Sequence, residues 1–236
     1  MAVGMAAAVV AGFSINLLLG RSTFSAPLVM HLHAVAFMGW VALFLLQSHL
    51  ASRGPIALHR RLGWIGAVLV LALVILGIAL TINRLQRGAT PFFFRPQEFL
   101  FTNSLGVMGF AALTWAAVRM RRRTDWHSRL QICAMATIMG PAFGRLLPMP
   151  FLIPWAFEAA TVAGLVFPVI GMLRDKRTNA SVHPAWWVGV AVALLTVLVG
   201  DIIAQTSLGD ALYAWVTAGT PGALLPGMAF PQAPAL

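Results

Sequence analysis

Long runs of apolar residues recur along the whole chain, and they constrain its fold more than any other feature. Each run is about 18–25 residues long, the length that an α-helix needs to cross about 30 Å of hydrocarbon. The seven runs are 3–20, 27–50, 62–82, 98–118, 130–148, 151–173 and 184–206. They are continuous rather than alternating, which disfavours a strand barrel. The pattern predicts an all-α polytopic transmembrane bundle of about seven spans over residues 1–206.

The composition excludes a water-soluble globular fold. Hydrophobic residues make up 60% of the 236 residues and charged residues 9%, whereas soluble domains average roughly 45–50% and about 25%. The net charge of +10 does not indicate a nucleic-acid partner, because the basic residues fall mostly in short loops between the apolar runs. The expected partner is the lipid bilayer, with other membrane protein subunits as a further option.

The basic residues are unequally divided between the two sides of the predicted bundle. If the spans alternate, one side holds Arg53, Arg60, Arg61, Arg119, Arg121, Arg122, Arg123, Arg129, Arg174, Lys176 and Arg177, and the other holds Arg21, Arg84, Arg87, Arg95 and Arg145. Because positive residues concentrate on the cytoplasmic side, the amino terminus is predicted to be cytoplasmic. The Pro/Gly-rich tail 207–236, with Tyr213 and Trp215, is then predicted to lie on the periplasmic side, along the outer surface of the bilayer.

Two similar stretches suggest an internal duplication. His59-Arg60-Arg61-Leu62-Gly63 opens span three, and His127-Ser128-Arg129-Leu130 opens span five. The H-x-R-L spacing thus recurs at equivalent positions of two helical hairpins, 27–82 and 98–148, as parallel repeats do in membrane folds.

The chain resembles a family of uncharacterised bacterial multi-span membrane proteins over roughly residues 27–148. The resemblance rests on a His-rich early helix, an H-R-x-L-G turn, and a later H-x-R-L followed by an arginine. In this sequence these are His31 and His33 with Trp40 and Gln47, then 59–63, then 127–130 and Arg145. The resemblance implies a helical protein of the bacterial inner membrane and carries no established activity.

The first candidate site is a polar layer near the outer ends of the spans. Ionisable groups inside spans are costly and are therefore functional candidates. A rise of about 1.5 Å per residue places His31, His33, Asn103, Arg145, Glu158 and Asp201 at a similar depth. Such groups are suited to proton exchange, to a polar head group or to a metal, for which His31 and Glu158 are the candidate ligands. The structural alternative is that Arg145 pairs with Glu158 or Asp201, and that His33 hydrogen-bonds a carbonyl.

Span two carries a polar stripe. His33, Trp40 and Gln47 are seven residues apart, so they share one helix face. His31 and His33 point about 200° apart, so at most one of them is expected to face a small ligand. The stripe is consistent with a proton or electron path, and equally with the side that faces the bundle. Spans five and six are expected to kink at Gly140, Pro141, Gly144, Pro154 and Pro168.

The second candidate site lies at the cytoplasmic ends of the spans and comprises His49, His59, Arg60, Arg61, Asp125, His127 and Arg129. One interpretation is an anionic or quinone-like ligand held by His and Arg. Haem would need facing axial ligands, such as His49 with His127 or His31 with Met108. The structural alternative is positive-inside topology with contact to anionic lipid.

Three functions remain open at this point. The sequence has no GxxxxGK[ST], GxGxxG, HExxH or GxSxG motif, which argues against the corresponding enzymes. The polar layer favours a membrane protein that binds a cofactor or small ligand (haem, a metal ion, a quinone or a lipid), with a redox-linked role as one option. The alternatives are a non-catalytic accessory subunit of a larger membrane complex and a small proton-coupled transporter.

Overall fold

The computed structural model describes residues 1–22 and 24–233, and these residues form helices and no strand. The helices are α1 (Ala2–Leu18), α2 (Leu28–Arg53), α3 (Ile56–Gln86), α4 (Pro96–Arg119), α5 (Thr124–Thr137), α6 (Gly140–Leu146), α7 (Ala156–Gly164), α8 (Val166–Asn179), α9 (Pro184–Ala204) and α10 (Ser207–Thr217). Single 3₁₀ turns occupy Met149–Leu152 and Pro221–Leu224. The all-helical fold predicted from the apolar runs is confirmed.

Five helical segments are long and apolar enough to cross a membrane: Leu28–Arg53, Ile56–Gln86, Pro96–Arg119, Ala156–Asn179 and Pro184–Ala204. The first expected span is the 17-residue α1, which is about 25 Å long at 1.5 Å per residue. The fifth expected span is divided between α5 and α6. The structure therefore supports a multi-pass membrane protein through five segments, and a total of seven depends on these two.

Two of the predicted helix breaks occur where proline interrupts the hydrogen-bond ladder. The fifth expected span breaks between Thr137 and Gly140, just before Pro141. The sixth breaks at Leu165, three residues before Pro168. A proline inside a helix lacks an N–H and clashes with the carbonyl four residues earlier. The local chemistry of these residues therefore explains both breaks.

The helices alternate in direction between two ends of the bundle. Met1, Arg53, Arg129 and Arg174 line two grooves at one end, which we call the basic end. At the opposite end, the tail end, the Gln86 side chain donates to the Val216 carbonyl of α10. The tail that follows α9 thus covers the ends of α3, α4 and α9.

The tail packs mainly through α10. The Tyr213 hydroxyl donates to the carbonyls of Gly222 and Leu225, and Tyr213 is buried rather than at a membrane interface. Trp215 is 76% exposed and continues an exposed stripe with Leu208 and Leu212. This stripe has the i, i+4, i+7 spacing of one helix face. Of the two aromatic residues expected at the interface, only Trp215 is available to it.

The core lies between α1, α2, α4 and α5. Trp40 of α2 meets Phe110 of α4 edge to face, with ring centroids 5.0 Å apart, a favoured geometry for aromatic pairs. Met5 and Val9 of α1 are fully buried in the same cluster. Polar side chains are therefore displaced from the centre toward the two ends.

Small residues allow α9 to approach its neighbours closely. A Cβ placed on Gly200 would lie 3.0 Å from the backbone N and Cα of Thr102 in α4, and one placed on Gly189 would collide with the Cys133 side chain of α5. Membrane helices, which have little hydrophobic drive to associate, pack through such contacts.

We expect Gly200→Ala to destabilise the bundle by about 1–3 kcal/mol, the usual effect of overpacking, because the backbone of Thr102 cannot rotate away. Thermal unfolding followed by circular dichroism in mild detergent measures this change. Gly106→Ala is the matched control, since a Cβ on Gly106 of α4 meets nothing within 4 Å. Equal melting temperatures for the two variants would contradict the close α4–α9 packing.

Candidate functional site

The predicted outer layer divides into two clusters of opposite charge. The first, which we call the acid cluster, consists of Glu98, Glu158 and Asp201 with Arg95. Arg95 donates to Glu98 at 2.7 Å, and electrostatic interactions couple Asp201 to Glu158 and Glu98. One carboxylate thus pairs with the guanidinium, and the two others are electrostatically coupled to this pair. Glu158 and Asp201 belong to the predicted outer layer, whereas Glu98 and Arg95 were not among the predicted residues.

Arg145 does not join the acid cluster. No described carboxylate lies within 4.0 Å of it, and its electrostatic coupling is to Arg84 of α3. Its Nη1 donates to the Pro141 carbonyl at 2.6 Å, its guanidinium lies 4.3 Å from the Phe13 ring centroid, and its buried Nε has no partner among the described residues. The structural alternative, in which Arg145 pairs with Glu158 or Asp201, is therefore wrong.

His33 lies beside this arginine pair. Its ring stacks on Phe37 at a centroid distance of 6.3 Å, and Phe37 contacts Phe13 at 6.0 Å, which is the ring under Arg145. The buried Nδ1 of His33 has no hydrogen-bond partner among the described residues. The predicted bond from His33 to a carbonyl is thus not formed.

Arg84 reaches the same region from α3. Its Nη2 lies 3.9 Å from the sulfur of Met30, three residues before His33 on α2. Gly77 is seven residues before Arg84 and therefore lies on the same face of α3. A Cβ placed on Gly77 would lie 3.6 Å from Cε1 of His33. We define the arginine pair site as Arg84, Arg145 and His33.

The remaining residues of the predicted layer do not contribute to either cluster. His31 uses Nε2 to contact the Phe24 carbonyl at 3.1 Å, and it points away from His33 as the helix geometry predicts. Asn103 donates to the Phe99 carbonyl of its own helix. Among residues 1–22 and 24–233, no group of three or more His, Cys, Asp or Glu could hold a metal ion, so the metal pair His31 and Glu158 stays a prediction without structural support.

The polar stripe of α2 faces its neighbouring helices along its whole length. His33 Nδ1, Trp40 Nε1 and Gln47 Oε1 are all buried, and none has a partner among the described residues. Gln47 uses its amide nitrogen to donate to the carbonyl of His59 at 3.1 Å. Buried polar atoms are rarely left unpaired unless water or a ligand reaches them. We call these residues the polar column, and it joins the arginine pair site to the basic end.

At the basic end, the two histidines of the repeated motif meet. The rings of His59 and His127 have centroids 6.2 Å apart and planes at 89°. The predicted partner of His127 was His49, which is exposed and instead lines a groove with Ala2 and Ser52. The other proposed pair fails as well, since His31 is engaged with Phe24 and Met108 is 52% exposed.

Arg129 is held in a structural ion pair. Its Nε and Nη2 donate to the two oxygens of Asp175 at 2.8 and 2.7 Å, and Trp186 Nε1 donates to the same carboxylate at 2.8 Å. Such bidentate geometry is strong and orienting. Arg129 is thus unavailable for a ligand, whereas Arg61 remains exposed.

Sequence reasoning missed Asp175, Trp186 and His183. The sixth apolar run was predicted to end at residue 173, before Asp175. In the structure α8 continues to Asn179, and Asp175 is buried on this helix. The sequence could have indicated His183 as the residue that caps α9, because it directly precedes Pro184 at the first position of that helix. Its Nδ1 accepts from the Ala185 N–H, so a neutral ring carries its proton on Nε2 and donates it to Asp125 at 2.9 Å.

Comparisons with known proteins add no family to this description: the chain matches no protein-family model, no curated protein and no solved structure. Any functional inference therefore rests on the arrangement of its own residues.

The Asp125–His183 pair generates a pH prediction. The hydrogen bond from His183 lowers the pKa of Asp125 below its usual value of about 3.9. The pair therefore stabilises the fold above that pH, and this contribution is lost as the pH falls through the lowered pKa. We expect Asp125→Asn to reduce the drop in melting temperature between about pH 5 and about pH 3, as measured by circular dichroism in detergent.

His183→Asn provides the matched test, because it removes the other partner. His183→Asn and the double variant should both show the flattened profile of Asp125→Asn. A single variant that keeps the acid sensitivity of the natural protein would contradict the assignment.

Proposed function

We propose that the chain is a multi-pass membrane protein that binds a small ligand or cofactor rich in oxygen acceptors, and that the bound molecule has a redox-linked role. The observation that carries the proposal is the arginine pair site, where Arg84 and Arg145 are electrostatically coupled and neither has a carboxylate within 4.0 Å among the described residues. We further propose that the chain is located in the bacterial inner membrane and is related to the uncharacterised bacterial membrane proteins that it resembles.

The proposed topology has seven crossings with a cytoplasmic amino terminus. It counts α1 and the broken α5–α6 segment together with the five long apolar segments. The basic end then faces the cytoplasm, in keeping with the positive-inside rule. The tail end, with its exposed Trp215, then lies at the non-cytoplasmic surface of the same bilayer.

The arrangement of charge at the tail end is energetically unfavourable in the absence of a ligand. Glu98 is paired with Arg95, Asp201 is electrostatically coupled to Glu158 and Glu98, and Arg145 is electrostatically coupled to Arg84. An unpaired charge that is partly withdrawn from water costs on the order of several kcal/mol. Pairing the arginines with the acids would have removed this cost, so the separation of the two clusters favours an external partner for the arginines.

The chemistry of the arginine pair site defines the ligand class. Guanidinium groups offer several donors in a planar fork that matches phosphate and carboxylate oxygens, and they also donate to carbonyls. Phe13, Phe37 and Met30 add an apolar wall. A polar oxygen-bearing head on an apolar body, such as a quinone or a lipid head group, matches both features.

We expect the protein, purified in mild detergent, to carry a stoichiometric quinone or phospholipid, identified by solvent extraction and mass spectrometry. Arg84→Gln and Arg145→Gln should each lower its occupancy about tenfold or more, because hydrogen bonds to charged groups contribute about 1.5–3 kcal/mol. Arg87→Gln is the control, since Arg87 is exposed and also at the end of α3.

The stability of Arg84→Gln after delipidation separates this proposal from a structural role. Removing one of two repelling charges should leave the melting temperature equal or higher, whereas a structural arginine would lower it. A lower melting temperature combined with unchanged ligand occupancy would overturn the proposal.

The acid cluster favours a second candidate function, a small proton-coupled transporter. Asp201 and Glu158 lie on different helices, interact electrostatically and are neither fully buried nor fully exposed. Thr102 donates to Asp201 at 3.5 Å. Acidic groups of this kind in membrane helices serve as proton relays.

If the chain is such a transporter, Glu158→Gln and Asp201→Asn should each abolish proton uptake into proteoliposomes, measured with a pH-sensitive dye under an imposed potential. Asp210→Asn, outside the cluster on α10, should leave it unchanged. Uptake that persists in both cluster variants would remove this candidate.

A further inference from the structure

The paired imidazoles at the basic end come from equivalent positions of the repeated motif. His59 lies near the start of α3, the second helix of the α2–α3 hairpin. His127 lies near the start of α5, the second helix of the α4–α5 hairpin. Their ring centroids are 6.2 Å apart, and the ring planes are nearly perpendicular. The duplication therefore brings two identical side chains together across the bundle.

Within the part of the chain that the structure describes, both rings keep at least one nitrogen without a hydrogen-bond partner. Nδ1 of His127 lies 2.8 Å from the Ala117 carbonyl, which places the proton of a neutral ring on Nδ1 and leaves Nε2 with a free lone pair. Metal-binding histidines are oriented by this kind of bond. Nδ1 of His59 is buried without a partner among the described residues, while its backbone carbonyl is held by Gln47.

The spacing of the rings suits a metal ion between them. A metal about 2 Å from one nitrogen of each ring, the usual imidazole–metal bond length, separates the two ring centroids by about 6 Å. The described residues supply no third His, Cys, Asp or Glu to such a centre. Haem suits a centre with two histidines, because its tetrapyrrole ring supplies four nitrogens and leaves two axial positions.

The surroundings fit the two other features of haem. A Cβ placed on Gly63, one turn beyond His59 on α3, meets nothing within 4 Å, so no neighbouring residue packs on the helix surface at that position. Arg60 and Arg61 adjoin His59 and are exposed without a carboxylate partner among the described residues. Guanidinium groups in this position match the propionates of haem.

We propose that His59 and His127 are the two axial ligands of a haem bound at the basic end. This site differs from the arginine pair site in position, in residues and in the chemistry of its ligand. The proposal therefore stands or falls independently of the outer ligand.

Titration of the purified full-length protein with haemin in detergent tests the proposal. The natural protein should bind one haemin and give the sharp Soret band and low-spin spectrum of a six-coordinate bis-imidazole iron. His59→Ala and His127→Ala should each weaken binding at least tenfold or convert the iron to a high-spin form. His49→Ala is the matched control, because His49 lies at the same end with no facing imidazole, and it should behave as the natural protein.

A second measurement excludes a folding artefact. His127→Gly that keeps its helical circular dichroism should regain the low-spin spectrum when free imidazole is added, as expected if only a ligand is missing. Haemin binding equal in the natural protein and in the double variant His59→Ala/His127→Ala would overturn the proposal. Copper binding to the pair without haemin binding would also overturn it. Arg84→Gln should bind haemin normally, which separates this result from the fate of the outer site.

Discussion

Hydrocarbon cannot hydrogen-bond the peptide backbone, and the rest of this structure follows from that constraint. Every long apolar segment becomes a helix because only a helix satisfies its own N–H and C=O groups in lipid. The same solvent displaces charged side chains toward the two ends of the bundle. The apolar centre, with Trp40 packed on Phe110, is lined along one helix by the polar column of α2. The column is a feature that the constraint alone does not explain.

The two ends of the molecule handle charge differently. At the basic end, Arg129 is satisfied by both oxygens of Asp175, and Trp186 completes the arrangement; this group pins α5, α8 and α9 together. At the tail end, Arg95 pairs with Glu98, whereas Arg145 is electrostatically coupled to Arg84 and has no carboxylate partner among the described residues. A charge with all its partners in the chain has a structural role. A charge whose partners are absent from the described residues is where a ligand is expected.

The repeated H-x-R-L motif opens a helix in each of two hairpins of the bundle. The α2–α3 and α4–α5 hairpins each contribute one histidine, and His59 meets His127 at the basic end. The polar column begins at His33 near the arginine pair and reaches His59 through Gln47. His33 and Gln47 are about 21 Å apart along α2 at 1.5 Å per residue, so the column covers most of the bilayer's apolar thickness. The two proposed ligand sites thus lie at opposite ends of one buried polar path.

The sequence by itself determined the five long apolar helical segments, the breaks near Pro141 and Pro168, and the shared face of His33, Trp40 and Gln47, because apolar length, proline and helical periodicity act locally. It also placed six polar residues at one depth. The depth of a residue in the membrane does not by itself determine which side chains are in contact, however. The rotation of each helix and the choice of its neighbours depend on side-chain packing, such as Gly200 against Thr102. Only the tertiary structure therefore decided that Arg145 is coupled to Arg84 rather than paired with Glu158, and that the ring of His127 faces His59 rather than His49.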